Sequence, residues 1–131
     1  MRHLFISFRE SERELREGFE GMIQNPTSPL RAYPVSSRED VRNRGEKTIK
    51  KEIKGLMKQS DIVVFLIGND SHNSKWIDYE ALLTLNWNYP YIVVRLPNTS
   101  GGLPNPLKNQ EFEEIEHNPR KIQSAIDVLM S

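Results

Sequence analysis

A chain of 131 residues has the length of one ordinary domain, enough to bury a single sheet with helices packed on it and too short for two independent units. Lys plus Arg and Asp plus Glu number 18 each, so no whole-chain field draws the protein to nucleic acid or to an anionic membrane. Cysteine is absent, which excludes disulfides, thiolate metal sites and thiol catalysis and fits a reducing compartment.

In chain order, Leu4 to Phe8 reads as a first strand. Ser11-Glu12-Arg13-Glu14 follows as a capping box, in which Ser11 and Glu14 satisfy each other's free backbone donors and start a helix. Leu15, Phe19, Met22 and Ile23 recur at helical spacing as its buried stripe, and Asn25-Pro26-Thr27-Ser28-Pro29 ends it. Leu30 to Val35 is a second strand, made short or an edge by Pro34, which has no N–H for the ladder. Ser36 to Gly45 is a charged loop leading into a helix with Ile49, Ile53, Leu56 and Met57 inward.

Ile62 to Ile67 is an unbroken apolar, β-rich run of the kind that parallel sheets cover on both faces. It is too short to span a bilayer, and the first residues lack the charged and apolar regions of a leader, so a soluble, unexported, cytoplasmic protein is expected. Gly68-Asn69-Asp70 ends that strand, a helix runs from about Ser74 to Asn88, and Tyr91 to Leu96 is another strand. Pro97 to Pro106 is a Pro/Gly/Asn-rich loop, and Gln110 to Glu116 reads as a short strand or a helical turn. Asn118 caps a last helix with Pro119 at its first position and Ile122, Ala125, Ile126 and Leu129 as its stripe.

This alternation predicts one α/β domain over residues 1–131, a doubly wound parallel sheet of four or five strands with helices on both faces. Ligands of such sheets bind at the carboxyl ends of the strands. The segments to inspect are therefore 8–11, 36–44, 69–76 and 97–106.

Neither a Walker lysine loop nor a Gly-x-Gly-x-x-Gly turn follows any strand, which argues against an NTPase or a dinucleotide-binding dehydrogenase. His3, His72 and His117 lack the spacing of a hydrolytic zinc site, so no metal is expected. A phosphoacceptor receiver would need acidic residues after the first strand and at the end of the third, where Phe8-Arg9-Glu10 and Gly68-Asn69-Asp70 match poorly. The informative segment is Ser74 to Leu83. At 100° per residue, Trp76, Glu80, Leu83 and Trp87 fall in one narrow arc, placing a carboxylate among two indoles and a leucine. A carboxylate on an apolar face loses hydration, so it is normally paired with a cation or kept for a task. Periodicity leaves both readings of Glu80 open, with Arg9 and Arg95 as the candidate cations.

Leu4-Phe5-Ile6-Ser7-Phe8-Arg9, the strand end Phe65-Leu66-Ile67-Gly68-Asn69, and Ser74-Lys75-Trp76-Ile77-Asp78-Tyr79-Glu80 before an apolar helix together resemble the TIR superfamily. The resemblance is to its TIR-like branch, which includes the ThsB proteins of the Thoeris antiphage system. It runs from about residue 2 to residue 96 and is loose beyond. It implies a flavodoxin-like sheet and, in enzymatic members, cleavage of the nicotinamide–ribose bond of NAD, with NAD as substrate and no resident cofactor. Glu80 holds the place of the family's catalytic glutamate. The resemblance also puts Ser7, Phe8, Arg9, Asp40, Asn69 and Trp76 around the substrate, Arg9 as a phosphate or ribose contact and Trp76 as packing support for the glutamate. Plainer readings stand beside these: Phe8 as the last core residue of its strand, Arg9 as a solvated charge, and Arg38 and Asp40 as part of a solvated loop. Two functions follow: an NAD hydrolase or ADP-ribosyl cyclase whose cyclic ADP-ribose-type product reaches a separate effector, or a catalytically silent module that signals by self-association. The carboxyl of Glu80 is expected to be dry and unpaired.

Overall fold

The computed structural model describes residues 2–9, 13–30, 32–36 and 45–131. Its frame is built on β3 (Ile62–Ile67), whose six residues are all buried, as an apolar run without polar alternation requires. In chain order the other elements are β1 (Arg2–Ser7), α1 (Arg13–Gln24), β2 (Ala32–Ser36) and α2 (Glu46–Lys58), then, after β3, α3 (Lys75–Asn86), β4 (Tyr91–Arg95), β5 (Glu114–Glu116) and α4 (Pro119–Met130). Short 3-10 turns at Ser71–Asn73 and Asn105–Leu107 precede α3 and β5.

The strands form a parallel sheet in the order β2-β1-β3-β4-β5, so the doubly wound α/β fold expected from the alternation is present with five strands among the described residues. The order reverses between β1 and β3, the position at which flavodoxin-like sheets leave a crevice at their carboxyl edge. Strand parity divides the core. Leu4, Ile6, Val64 and Val94 face α1 and α4, packing on Phe19, Ile23, Ile122 and Ile126. Phe5, Val63, Phe65 and Val93 face α2 and α3, packing on Ile49, Ile53, Met57, Ile77 and Ala81.

Several boundaries moved for local reasons. The second strand is shifted to Ala32–Ser36 and lies at the sheet edge, where Pro34 removes no inner ladder bond. Helix α3 stops at Asn86 because Asn88 turns left-handed (φ 53°) and the Tyr89 N–H bonds back to the Thr84 carbonyl at 3.0 Å. The ambiguous acidic segment supplies the three-residue strand β5. In α4 the predicted stripe holds at Ile122 and Ile126, but Leu129 is 42 % exposed and Met130 reaches the core in its place, because the last turn passes the edge of the apolar layer. The capping residue Ser11 and the loop position Asp40 lie outside the described residues, as does the side chain of Leu15. No helix among the described residues is long and apolar enough to cross a membrane.

Candidate active site at the β1/β3 seam

The site begins with the alternation of β1. Phe5 and Ser7 point to the α2/α3 face, and Ser7 ends the strand opposite Phe65 of β3. A hydroxyl in that apolar layer needs a partner, and the partner comes from α3. The turn after β3 is closed by Ser71, whose Oγ accepts from the Gly68 N–H at 2.9 Å. Ser74 then caps α3, its Oγ accepting from the Ile77 N–H at 3.2 Å. With its start fixed, α3 lays Ile77, Ala81 and Thr84 on the sheet and carries Glu80 inward among them.

Glu80 is 2 % exposed, Ser7 1 %. Ser7 Oγ donates to Glu80 Oε1 at 2.8 Å, across 73 residues of sequence. Thr84 Oγ1 donates to the main-chain carbonyl of Glu80 at 2.7 Å, so the neighbouring buried hydroxyl is satisfied within the helix. The carboxyl is therefore dry, as expected, but not unpaired. Arg95 does not neutralise it: that guanidinium donates to the Gly101 carbonyl at 2.8 Å and pairs with Glu114 at 2.6 Å.

The other residues implied by the resemblance are spread around this seam. Arg9, two residues beyond Ser7, is partly exposed at the carboxyl edge and has no hydrogen-bond or ion-pair partner among the described residues. Phe8 faces the opposite side of the sheet, buried in the α1/α4 core with the Arg16 guanidinium 4.4 Å from its ring centre. Asn69 is exposed after β3, and its Oδ1 accepts from the Ser100 N–H at 3.0 Å. Trp76 sits edge-on to Tyr79, with ring centres 6.2 Å apart. Both rings line a groove of about 300 Å³ with Lys50, Lys75, Leu82 and Pro106, and Glu80 is not among its walls. Ser7 and Glu80 are thus brought into contact, while Phe8 and Trp76 are directed elsewhere.

The loop after β4 is fastened across the end of β3. Arg95 holds the Gly101 carbonyl, Thr99 Oγ1 donates to the Leu96 carbonyl at 2.7 Å, and Asn69 holds Ser100. A Cβ at Gly101 would stand 2.3 Å from the carbonyl oxygens of Gly68 and Asn69, so only glycine permits that approach. Sequence reasoning identified the loop but not its attachment. Its Gly101-Gly102 pair was the available signal, as was a serine at a core-facing position of β1 for the bond to Glu80.

A carboxyl held by a strand-end hydroxyl at the reversal point of a parallel sheet, on the helix after β3, is the arrangement in which the comparison with known families is decisive. The family model for the TIR-like domain of the Thoeris protein ThsB matches residues 5–101. The chain belongs to that family. It is a Thoeris-type, TIR-like protein, and the match runs from β1 through the Gly101 contact, taking in both Ser7 and Glu80. The β5 strand and α4 lie beyond it. No curated protein matches the chain.

Proposed function

We propose that this Thoeris-type protein cleaves the bond between nicotinamide and ribose in NAD, with Glu80 as the catalytic carboxylate, and releases a cyclic ADP-ribose-type signal to a separate effector in cytoplasmic antiphage defence. The observation that carries the reading is the buried Glu80 carboxyl, held by Ser7 at the carboxyl edge of the sheet where β1 meets β3. Nicotinamide leaves as a neutral ring from a cationic one, so no general acid is needed. What the departure creates is an oxocarbenium-like ribose, and a carboxylate facing it in a site of low dielectric stabilises that charge more than it stabilises the ground state. Water, or another nucleophilic atom of the same ADP-ribose, then closes on the anomeric carbon, giving the linear or the cyclic product. Arg9 supplies a cation for the diphosphate, and Asn69, whose amide nitrogen has no partner among the described residues, a donor for a hydroxyl.

With the carboxyl 2 % exposed, this reading requires the seam to open, or a second copy to complete it, before ribose reaches Glu80. The test is therefore run on concentrated or crowded protein: NAD is added and nicotinamide release followed by chromatography, beside Glu80→Gln and Glu80→Ala. A loss of about a hundredfold or more in both variants is expected. Release at the parental rate from both would refute the role given to Glu80. Mass analysis of the product distinguishes linear from cyclic ADP-ribose.

The same burial favours one other reading, a silent module signalling by self-association, in which Glu80 is only a satisfied core group. Absence of nicotinamide release at any concentration, together with assembly that Glu80→Gln leaves intact, would select it.

A further inference from the structure

We infer that Ser7 is a positioning residue that acts through Glu80 and not a contact to the substrate. This rests on the reading of Glu80 as the catalytic carboxylate, and departs from the substrate contact that the resemblance implied for Ser7. A serine hydroxyl has one proton to donate. Here that proton is directed at Glu80 Oε1, at 2.8 Å and in line with ordinary O–H···O geometry, from a side chain that is 1 % exposed. A substrate hydroxyl or phosphate would have to take it from the glutamate, inside a layer otherwise made of Phe5, Phe65, Ile67 and Ile77.

The mounting of the two groups explains why the bond matters. Ser7 is rigid: it ends a strand whose backbone is paired to β2 and β3, so its Oγ is fixed relative to the sheet. Glu80 has three side-chain torsions and is mounted on a helix. Holding Oε1 to the sheet restricts those torsions and so narrows the directions open to the carboxyl group. An oxocarbenium ion is stabilised by a carboxylate only where the charge lies in the right place, and a displacement of about 1 Å can cost about a hundredfold in rate. The tether also joins β1 to α3 across the buried layer between sheet and helix, so the carboxyl is referenced to both elements at once.

The experiment compares the full-length protein with Ser7→Ala, Ser7→Thr and Glu80→Gln, measuring kcat and KM for nicotinamide release from NAD and, on the same samples, the carbon-13 resonance of the Glu80 carboxyl, assigned by its disappearance in Glu80→Gln. In Ser7→Ala, kcat falls by about tenfold to a hundredfold with KM within twofold of the parent, and the carboxyl resonance moves or broadens. Ser7→Thr, which keeps the hydroxyl, recovers most of the rate and the parental resonance. A Ser7→Ala protein that loses KM with kcat intact makes Ser7 a substrate contact and overturns the inference. So does one that keeps both constants while Glu80→Gln is inactive, and in that case the reading of Glu80 survives. No release from the parent at any concentration overturns the reading of Glu80 and this inference with it, leaving the tether, if the resonance responds to Ser7→Ala, as a purely architectural bond. A Ser7→Ala chain that fails to fold is replaced by Ser7→Cys, which fills the same space with a weak donor and carries the same expected fall in kcat.

Discussion

At the seam between β1 and β3 one glutamate lies 2 % exposed and accepts a hydrogen bond from a buried serine, whereas along the β4–β5 edge Glu114 and Glu116 meet Arg95 and Lys121 in view of solvent. The two places answer different physical demands. An exposed ion pair contributes between nothing and about 1 kcal/mol, since water would serve both charges nearly as well. A carboxyl withdrawn from water costs several kcal/mol unless its partners restore what hydration gave, and an apolar residue of similar volume is often the more stable choice. The edge can therefore be charged for solubility and to blunt an open strand. The seam holds a polar group where stability alone would favour methionine or leucine, which is what the role proposed for Glu80 calls for.

The contrast breaks most directly with the double variant Ser7→Ala/Glu80→Met. Nicotinamide release is expected to fall by about a hundredfold or more, while stability changes by less than about 2 kcal/mol, because an apolar side chain replaces the buried carboxyl together with the hydroxyl that donates to it. A loss of stability above about 2 kcal/mol would mean that the pair holds the fold, and the distinction between seam and edge would vanish. The strap over β3 gives the next largest effect. Gly101→Ala puts a methyl against two backbone oxygens, and a loss of about 1–3 kcal/mol in urea unfolding is expected. A change under about 0.5 kcal/mol would show the strap lifting freely.

On the charged edge, Lys121→Ala removes a 2.8 Å pair from a side chain that is 57 % exposed. It should shift stability by no more than about 0.5 kcal/mol, and the shift should shrink in high salt. The gentlest probe is acid. Burial pushes the His117 imidazole below its usual 6.5, against a smaller upward pull from its backbone hydrogen bond, and its ring sits tilted against Phe19 at 5.9 Å. The folded form resists the proton that the unfolded chain accepts, so the stability His117 contributes is present above 6.5 and is lost as the pH falls through the lower folded value. Urea midpoints from neutral pH downward should decline less steeply in His117→Gln than in the parent; equal slopes would show that the ring protonates without consequence.

How much of this was written in the residues depends on the distance over which each feature is decided. Ile62 to Ile67 announces a doubly covered strand, Ser74 and Asn118 cap α3 and α4 with their own side chains, and Pro34 marks an edge: each is settled within a few residues. From these the parallel α/β fold follows. The arc of Trp76, Glu80, Leu83 and Trp87 lies on α3 only as far as Leu83, with Trp87 at the C-cap, and it does not say what Glu80 meets. That depends on β1 parity together with how α3 crosses the sheet, and only the two combined bring Ser7 to the carboxyl. The same nonlocal packing took Trp76 to a separate groove and Phe8 to the far face. The attachment of the loop after β4 was hidden for a related reason, since carbonyl oxygens, which every residue carries, receive most of its bonds.

The bond between Ser7 and Glu80 also sets an order of events. Its two members are separated by 73 positions of chain. Neither an amino-terminal nor a carboxy-terminal fragment divided between them contains the assembled seat. Translation must run past α3, and that helix must settle against β1, before the glutamate acquires its orientation. A chain halted or cut between the two members therefore lacks the bond that orients the carboxyl.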